Sequence, residues 1–279
     1  MKNEMTYGDD YKFIPAISVK NGDLLEVTNG VLCYVDQIVN VIIVEAGGGC
    51  VLVDTGMPKS AEKVISVIEK RYGTGSKPMA ILLTHGHFDH VGTVVDLVRK
   101  WNIPVFAHEL ELPFLTGEKD YPEPDSSVEG GMVAKISRFF PNEAIQLGDH
   151  VKPLPENGEV PFLEGFSWIH TPGHTPGHVS FFRKEDGLLI AGDAFVTVRQ
   201  DSLYQVMSQK GEVSGPPRYF TTDWDASYLS LKKLVDVNPN VAVTGHGPPL
   251  GGPTLKEELE SLLAHFKDVA VPDYGRFTH

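Results

Sequence analysis

At 279 residues, with 41% apolar and 22% charged side chains, the chain can bury a sizeable core and reads as one folded domain spanning residues 1–279, neither disordered nor a coiled coil. Its formal charge of −13, from 24 basic and 37 acidic residues, opposes non-specific attraction to a phosphate backbone, so nucleic acid is not expected as a partner. The opening MKNEMTYGDD lacks the apolar core of a secretory signal and no run is long enough to span a bilayer; Cys33 and Cys50 lie in separate apolar runs without CxxC spacing. These features predict a cytoplasmic chain with no membrane contact and reduced core cysteines.

In chain order, Val31–Val35, Val39–Ala46 and Cys50–Val53 are short runs rich in Val and Ile, with Gly47 to Gly49 as a turn, and predict a β-meander. Ser60 to Tyr72 has apolar residues at Val64, Ile65, Val67 and Ile68, a helical spacing behind Ser60 as N-cap. A strand at Ala80–Leu83, a helix from about Val91 to Trp101 and a strand at Pro104–Ala107 follow. Glu111 to Pro161 is rich in loops and contains short helices that the pattern does not place. Strands resume at Phe166–His170, Val179–Phe182 and Leu188–Ala191. A helix over Asp223–Val237, a strand at Val241–Thr244 and a helix over Leu255–Phe266 close the chain, so two similar α/β halves are expected to pack together.

Thr84 to Gly92 reads THGHFDHVG, which places His85, His87, Asp89 and His90 within six consecutive residues, after an apolar strand and before a helix. Residues at the carboxyl end of a strand face the crevice where α/β proteins build sites. Imidazole nitrogen and carboxylate oxygen are donors for Zn²⁺, Fe and Mn²⁺. In extended chain His85 and His87 project the same way, while Asp89 and His90 lie past the bend and can face a second position. Three further strands run into Gly-containing turns that present His174 (HTPGHTPGH), Asp193 (IAGDAF) and His246 (VTGHGPP).

HxHxDH at 85–90, PGHTPGH at 172–178, GD at 192–193 and GHG at 245–247 together resemble the metallo-β-lactamase superfamily, specifically its glyoxalase II and lactonase-like branch. The resemblance implies an αββα sandwich, in which two mixed β-sheets pack face to face between helices with the metals at one edge. It implies one metal on His85, His87 and His174, the other on Asp89, His90 and His246, and Asp193 bridging them. The ions expected are two divalent cations, Zn first, with Fe or Mn as alternatives. Asp54 in VDTG matches a motif whose part is structural near the site, and His178 is expected to support the site rather than ligate.

A water shared by two such cations would lose a proton near neutral pH, as zinc lowers bound water from about 15.7 to about 7, and attack a small ester, thioester or lactone. Asp89 is the expected catalytic residue, holding a metal or moving a proton to the leaving group. Asp193 stands where true zinc β-lactamases carry Cys. Ala194, Phe195 and Val196 stand where acyl-homoserine lactonases place a Tyr, and the stretch after Gly247 is shorter than the glutathione-holding region that glyoxalase II normally adds. Thr197–Thr222, with Arg199, Tyr204, Lys210, Arg218 and Tyr219, is read as a substrate-facing lid or a surface loop. The alternative activities are a mononuclear iron persulfide dioxygenase and, ranked below it, a phosphodiesterase or nuclease. The expected partner is a small-molecule substrate. Oligomeric state stays open, a homodimer included.

Overall fold

Alternation of side chains decides how the first sheet is used. The computed structural model describes residues 4–12, 18–200 and 203–278. Strands β1 (Leu24–Thr28), β2 (Val31–Asp36), β3 (Val39–Ala46) and β4 (Gly49–Val53) form an antiparallel meander. Strands β5 (Ile81–Leu82), β6 (Val105–Ala107) and β7 (Val151–Pro153) then add in parallel, giving the order β1-β2-β3-β4-β5-β6-β7. Cys33, Ile42, Val44, Val51 and Val53 turn toward the second sheet, while Tyr34, Val41, Ile43, Cys50 and Leu52 turn toward helices α1 (Ala61–Tyr72) and α2 (Val94–Trp101). A strand covered on both faces reads as a continuous apolar run, which is the pattern seen in β3. Cys33 and Cys50 are free, buried and on opposite faces of this sheet. Two short helices, α3 (Leu112–Leu115) and α4 (Gly131–Ile136), lie in the connection from β6 to β7.

The second sheet comprises β8 (Phe166–His170), β9 (Val179–Arg183), β10 (Leu188–Gly192), β11 (Val241–Thr244) and β12 (Leu250–Gly251), in the order β12-β11-β10-β9-β8. Only β10 and β11 pair in parallel. Val179, Phe181, Leu188, Ile190 and Val243 meet the first sheet. Helix α5 (Leu203–Ser208) precedes α6 (Trp224–Asp236), α7 (Gly252–Ala264) and α8 (Phe266–Val269). Leu189, Ala191 and Ala242 on the outer face of the sheet pack on Leu231 and Leu234 of α6 and Leu255, Leu259 and Leu262 of α7. Helices, sheet, sheet and helices therefore stack as the αββα sandwich expected, with two mixed sheets. Among the described residues, no helix is long and apolar enough to cross a membrane.

Several boundaries differ from the sequence reading for identifiable reasons. β1 lies ahead of the first strand read from sequence, because LLEVT is only half buried and owes its strand to pairing with β2. Ser60 is not a side-chain cap: its hydroxyl donates to Asp36 Oδ1 at 2.8 Å. α2 begins at Val94 rather than Val91, since residues 91–93 belong to the turn that follows the His-rich segment. Asp223 caps α6 from outside, accepting from the Ala226 N–H at 2.8 Å. The closing helix breaks at His265 into α7 and α8. Within 111–161 the structure places α3, α4, three residues of β7 and short 3-10 turns, and 197–222 carries α5.

At one edge the sheets are joined through backbone. The Val179 N–H donates to the Thr84 carbonyl at 2.9 Å, and the Asn40 N–H to the Gly245 carbonyl at 2.8 Å. The Asn40 side chain adds bonds to the Thr244 and Gly247 carbonyls, at 2.9 and 2.7 Å. These links bring the ends of β5, β10 and β11 to a common edge.

Candidate metal centre

Each of the seven residues singled out from sequence is delivered to that edge by a strand end or the turn after it. β5 leads to His85 and His87, the bend that follows to Asp89 and His90, the β8–β9 loop to His174, β10 to Asp193 and β11 to His246. All seven are buried. Their ligand atoms form three overlapping groups, His85/His87/His174, His85/His90/Asp193 and Asp89/His90/His246, each within 4.8 Å. Asp193 reaches both sides: Oδ1 lies 3.6 Å from His90 Nε2, while Oδ2 lies 3.6 Å from His174 Nε2 and 3.4 Å from His246 Nε2. Asp89 Oδ2 is 3.3 Å from His246 Nε2.

Hydrogen bonding behind the imidazoles selects their tautomers. Thr84 Oγ1 donates to Asp54 Oδ2 at 2.7 Å, so it accepts from His85 Nδ1 at 3.0 Å. Thr221 Oγ1 donates to the Pro217 carbonyl at 2.8 Å, so it accepts from His174 Nδ1 at 3.1 Å. His90 Nδ1 donates to Asp54 Oδ2 at 2.8 Å, and His246 Nδ1 to the Ile38 carbonyl at 3.0 Å. With Nδ1 engaged outward in all four rings, Nε2 is left to face the centre. His87 has the opposite arrangement and points Nδ1 inward, 3.0 Å from His174 Nε2.

Ionisation divides the cluster. Burial, reinforced by neighbouring imidazoles, holds His85 and His174 well below the ordinary histidine range and His87 down at about 3. Burial also disfavours charge on His90 and His246, but the carboxylates beside them prevail. Asp193, Asp89 and Asp54 raise His90 well above its usual value, and Asp193 with Asp89 raises His246 to about 10. Burial would likewise raise the two carboxyls, yet His90 and His246 hold Asp89 below and Asp193 well below the usual range. Two clustered carboxylates favour positive charge nearby and so push His90 and His246 toward their charged forms.

Buried atoms His85 Nε2, His90 Nε2 and Asp193 Oδ1 have no hydrogen-bond partner. Such orphans are costly unless something fills the space between them. Imidazole nitrogens and carboxylate oxygens gathered in one buried space are a donor set for divalent cations, so the residues present fit a metal. His178 is spent elsewhere: Nε2 accepts the Asp193 N–H at 2.9 Å, and Nδ1 meets Thr171 Oγ1 at 2.9 Å. Asp54, at φ 58°, occupies the left-handed region that non-glycine residues seldom adopt and sits behind both His85 and His90. A Cβ at Gly245 would collide with Asp193 Oδ1 and His90, which requires glycine in GHG.

Some contributors carry no signal in the sequence. Glu111, fully buried, accepts from the Gly86 N–H at 3.0 Å, from Thr175 Oγ1 at 2.7 Å, from the Gly177 N–H at 2.8 Å and from the Tyr121 hydroxyl. In AHELELP it has the look of a solvated turn residue. Tyr121 and Phe220 flank the His87 ring with centroids 4.6 and 4.3 Å away. Thr197 and Thr221, at the ends of the segment read as a lid, both bear on the cluster, since the Thr197 N–H bonds the His246 carbonyl at 3.1 Å. Arg218 and Tyr219 of that segment turn inward. Arg218 bonds the Val269 and Ala270 carbonyls, and Tyr219 is buried, whereas Tyr204 is 75% exposed.

A family model described as the metallo-beta-lactamase superfamily matches residues 34–246, the span that contains every residue above from Tyr34 to His246. The chain belongs to this superfamily. Within it, the "Probable metallo-hydrolase YflN" of Bacillus subtilis is 42% identical over 260 residues, covering 92% of this chain and 98% of that protein. The hydroxyacylglutathione hydrolase GloC of Haemophilus influenzae is 26% identical, covering 76% of this chain and 82% of GloC. Among solved structures, TTHA1623 in a di-iron-bound form superposes with a TM-score of 0.53 at 32% identity, over 76% of this chain and 89% of that one. The superfamily expected from HxHxDH, PGHTPGH, GD and GHG is the one found, and the chain is a member of it with a His/Asp cluster suited to metal.

Proposed function

We propose that this chain is a binuclear metallohydrolase acting on a small ester, thioester or lactone. One cation position is formed by His85, His87 and His174 and the other by Asp89, His90 and His246, with Asp193 shared. The reading is carried by Asp193, whose two oxygens lie within 3.6 Å of imidazoles of both groups. When bound, divalent cations supply Lewis acidity and lower the pKa of a water at neutral pH. The relatives support the identities involved: GloC is named for hydrolysis of a glutathione thioester, and TTHA1623 for two irons.

The side chains define the remaining work. Asp89 lies beside the second group, its Oδ2 3.3 Å from His246 Nε2, and its role is to take up a proton in passing and hand it to a leaving group, against the pull of His90 and His246, which favour its ionised form. Asp193 fixes the spacing of the two groups. Tyr121 and Phe220, both buried, wall the His87 side and keep water from it. Exposed Leu203, Tyr204 and Met207 on α5 make 197–222 the candidate substrate-facing segment.

Elemental analysis of the purified native protein, followed by assay on thioesters, esters, lactones and a phosphodiester, tests the proposal. Two equivalents of Zn, Fe or Mn with turnover of a carboxylic ester, thioester or lactone is the expected result. One equivalent of iron with oxygen uptake on a glutathione persulfide would replace it with the dioxygenase reading, and a metal-free active protein would end it.

A further inference from the structure

The loop that carries His85 and His87 and the loop that carries His174 belong to different sheets, and a single buried carboxylate spans them. One Glu111 oxygen accepts from the Gly86 N–H, between the two histidines, and from the Tyr121 hydroxyl. The other accepts from Thr175 and from the Gly177 N–H, in the turn just after His174. Glu111 comes from outside both loops, closing a 3-10 turn (Glu109–Glu111) ahead of α3. The cradle has no slack: a Cβ at Gly86 would sit 2.6 Å from the Tyr121 hydroxyl, and one at Gly177 2.9 Å from Glu111 Oε1. The Asp89/His90/His246 group makes no such use of Glu111 and is braced instead by Asp54 and the Ile38 carbonyl.

We propose that Glu111 is a positioning residue that controls retention of the cation held by His85, His87 and His174, and leaves the other position unaffected. The proposal rests on the two-position reading given above. Carboxylate is required because each oxygen faces one backbone N–H that cannot rotate away. An amide at this place would set its own NH₂ against either Gly86 or Gly177 whichever way it is turned. Aspartate, one methylene shorter, can reach only one of the two loops. Loss of either arm lets His87 and His174 drift from the 3.0 Å approach of their inward nitrogens.

The test is release of Zn²⁺ from the full-length, zinc-loaded protein to a chromogenic chelator, comparing wild type with Glu111→Gln, Glu111→Asp and Thr175→Val. His174→Ala and His246→Ala identify which equivalent belongs to which position. In Glu111→Gln and Glu111→Asp, one of two equivalents should leave about tenfold or more faster, and it should be the one missing from His174→Ala. The other should leave at the wild-type rate. Thr175→Val, which removes one donor and keeps the carboxylate, should show the same selectivity at smaller size, and serves if the Glu111 variants do not fold. Both equivalents leaving as in wild type, or both accelerating equally, would overturn the proposal. A wild type that holds fewer than two equivalents would overturn the two-position reading instead.

Discussion

The two ligand groups are built differently. His85, His87 and His174 are held toward the neutral form by burial and by neighbouring imidazoles, and their support comes from three separate segments: Thr84 beside His85, Thr221 and Glu111. Asp89, His90 and His246 contain their own negative charge, which pushes His90 and His246 toward their charged forms, and their braces are Asp54 and one backbone carbonyl. A group with a carboxylate attracts a cation by charge and tolerates looser geometry. A group of neutral rings depends more on placement, because three lone pairs must converge and the carboxylate beside it, Asp193, is shared with the other group. Precision in the first group and charge in the second are therefore the properties to perturb.

Removing what the groups share should have the largest effect. Asp193→Ala is expected to lower kcat by about a thousandfold or more and to bring bound metal below one equivalent, measured by elemental analysis beside steady-state kinetics; a variant that keeps two ions would show that the groups are independent. Asp89→Asn comes next, with kcat down by roughly a hundredfold or more while metal content changes far less. Full activity with full metal would remove the proton role. Thr221→Val, which takes away the partner of His174 Nδ1 without touching a ligand, should weaken one equivalent by about tenfold in a competition titration and spare the other. Equal weakening of both would erase the contrast between the groups.

The smallest expected effect is a pH dependence on the Glu111 side. His108 accepts from the Leu110 N–H at 3.2 Å and so caps the 3-10 turn that ends in Glu111, and its ring stacks on His170 with centroids 4.2 Å apart. Burial first, then His170, brings His108 down to about 4. The folded state thus prefers the neutral ring. This contribution is complete above the unfolded value of about 6.5 and is lost as pH falls from there toward 4, because the unfolded chain then binds the proton more readily. Urea unfolding across that window should show wild type losing more stability than His108→Asn, which can still cap the turn. Parallel curves would assign the slope to other groups.

The His-rich segment was readable in sequence because its geometry is local. Four donors in six residues, at the end of a strand, need only the pleat and one bend to face two ways. His174, Asp193 and His246 were readable for a related reason, since each follows a strand through a glycine-containing turn. Glu111, Tyr121 and Phe220 were not. Their positions depend on connections whose path is set by what they pack against, and a glutamate in a charged turn or a phenylalanine in a loop carries no periodicity to betray burial. Ser60 shows the converse, a residue with the right local signature whose hydroxyl is claimed by Asp36 from another strand.

Strand alternation, helical spacing and the turn glycines, all properties of neighbours along the chain, were enough to indicate two α/β halves and the donors available to a cation, while the αββα layering followed from the family resemblance. Tertiary packing alone settled which nitrogen of each imidazole looks inward, which histidines are pushed toward the charged form, and that His178 supports the site through the Asp193 backbone. Those outcomes depend on groups from different elements sharing a volume from which water is excluded, as when the Ile38 carbonyl, 208 residues away in sequence, orients His246.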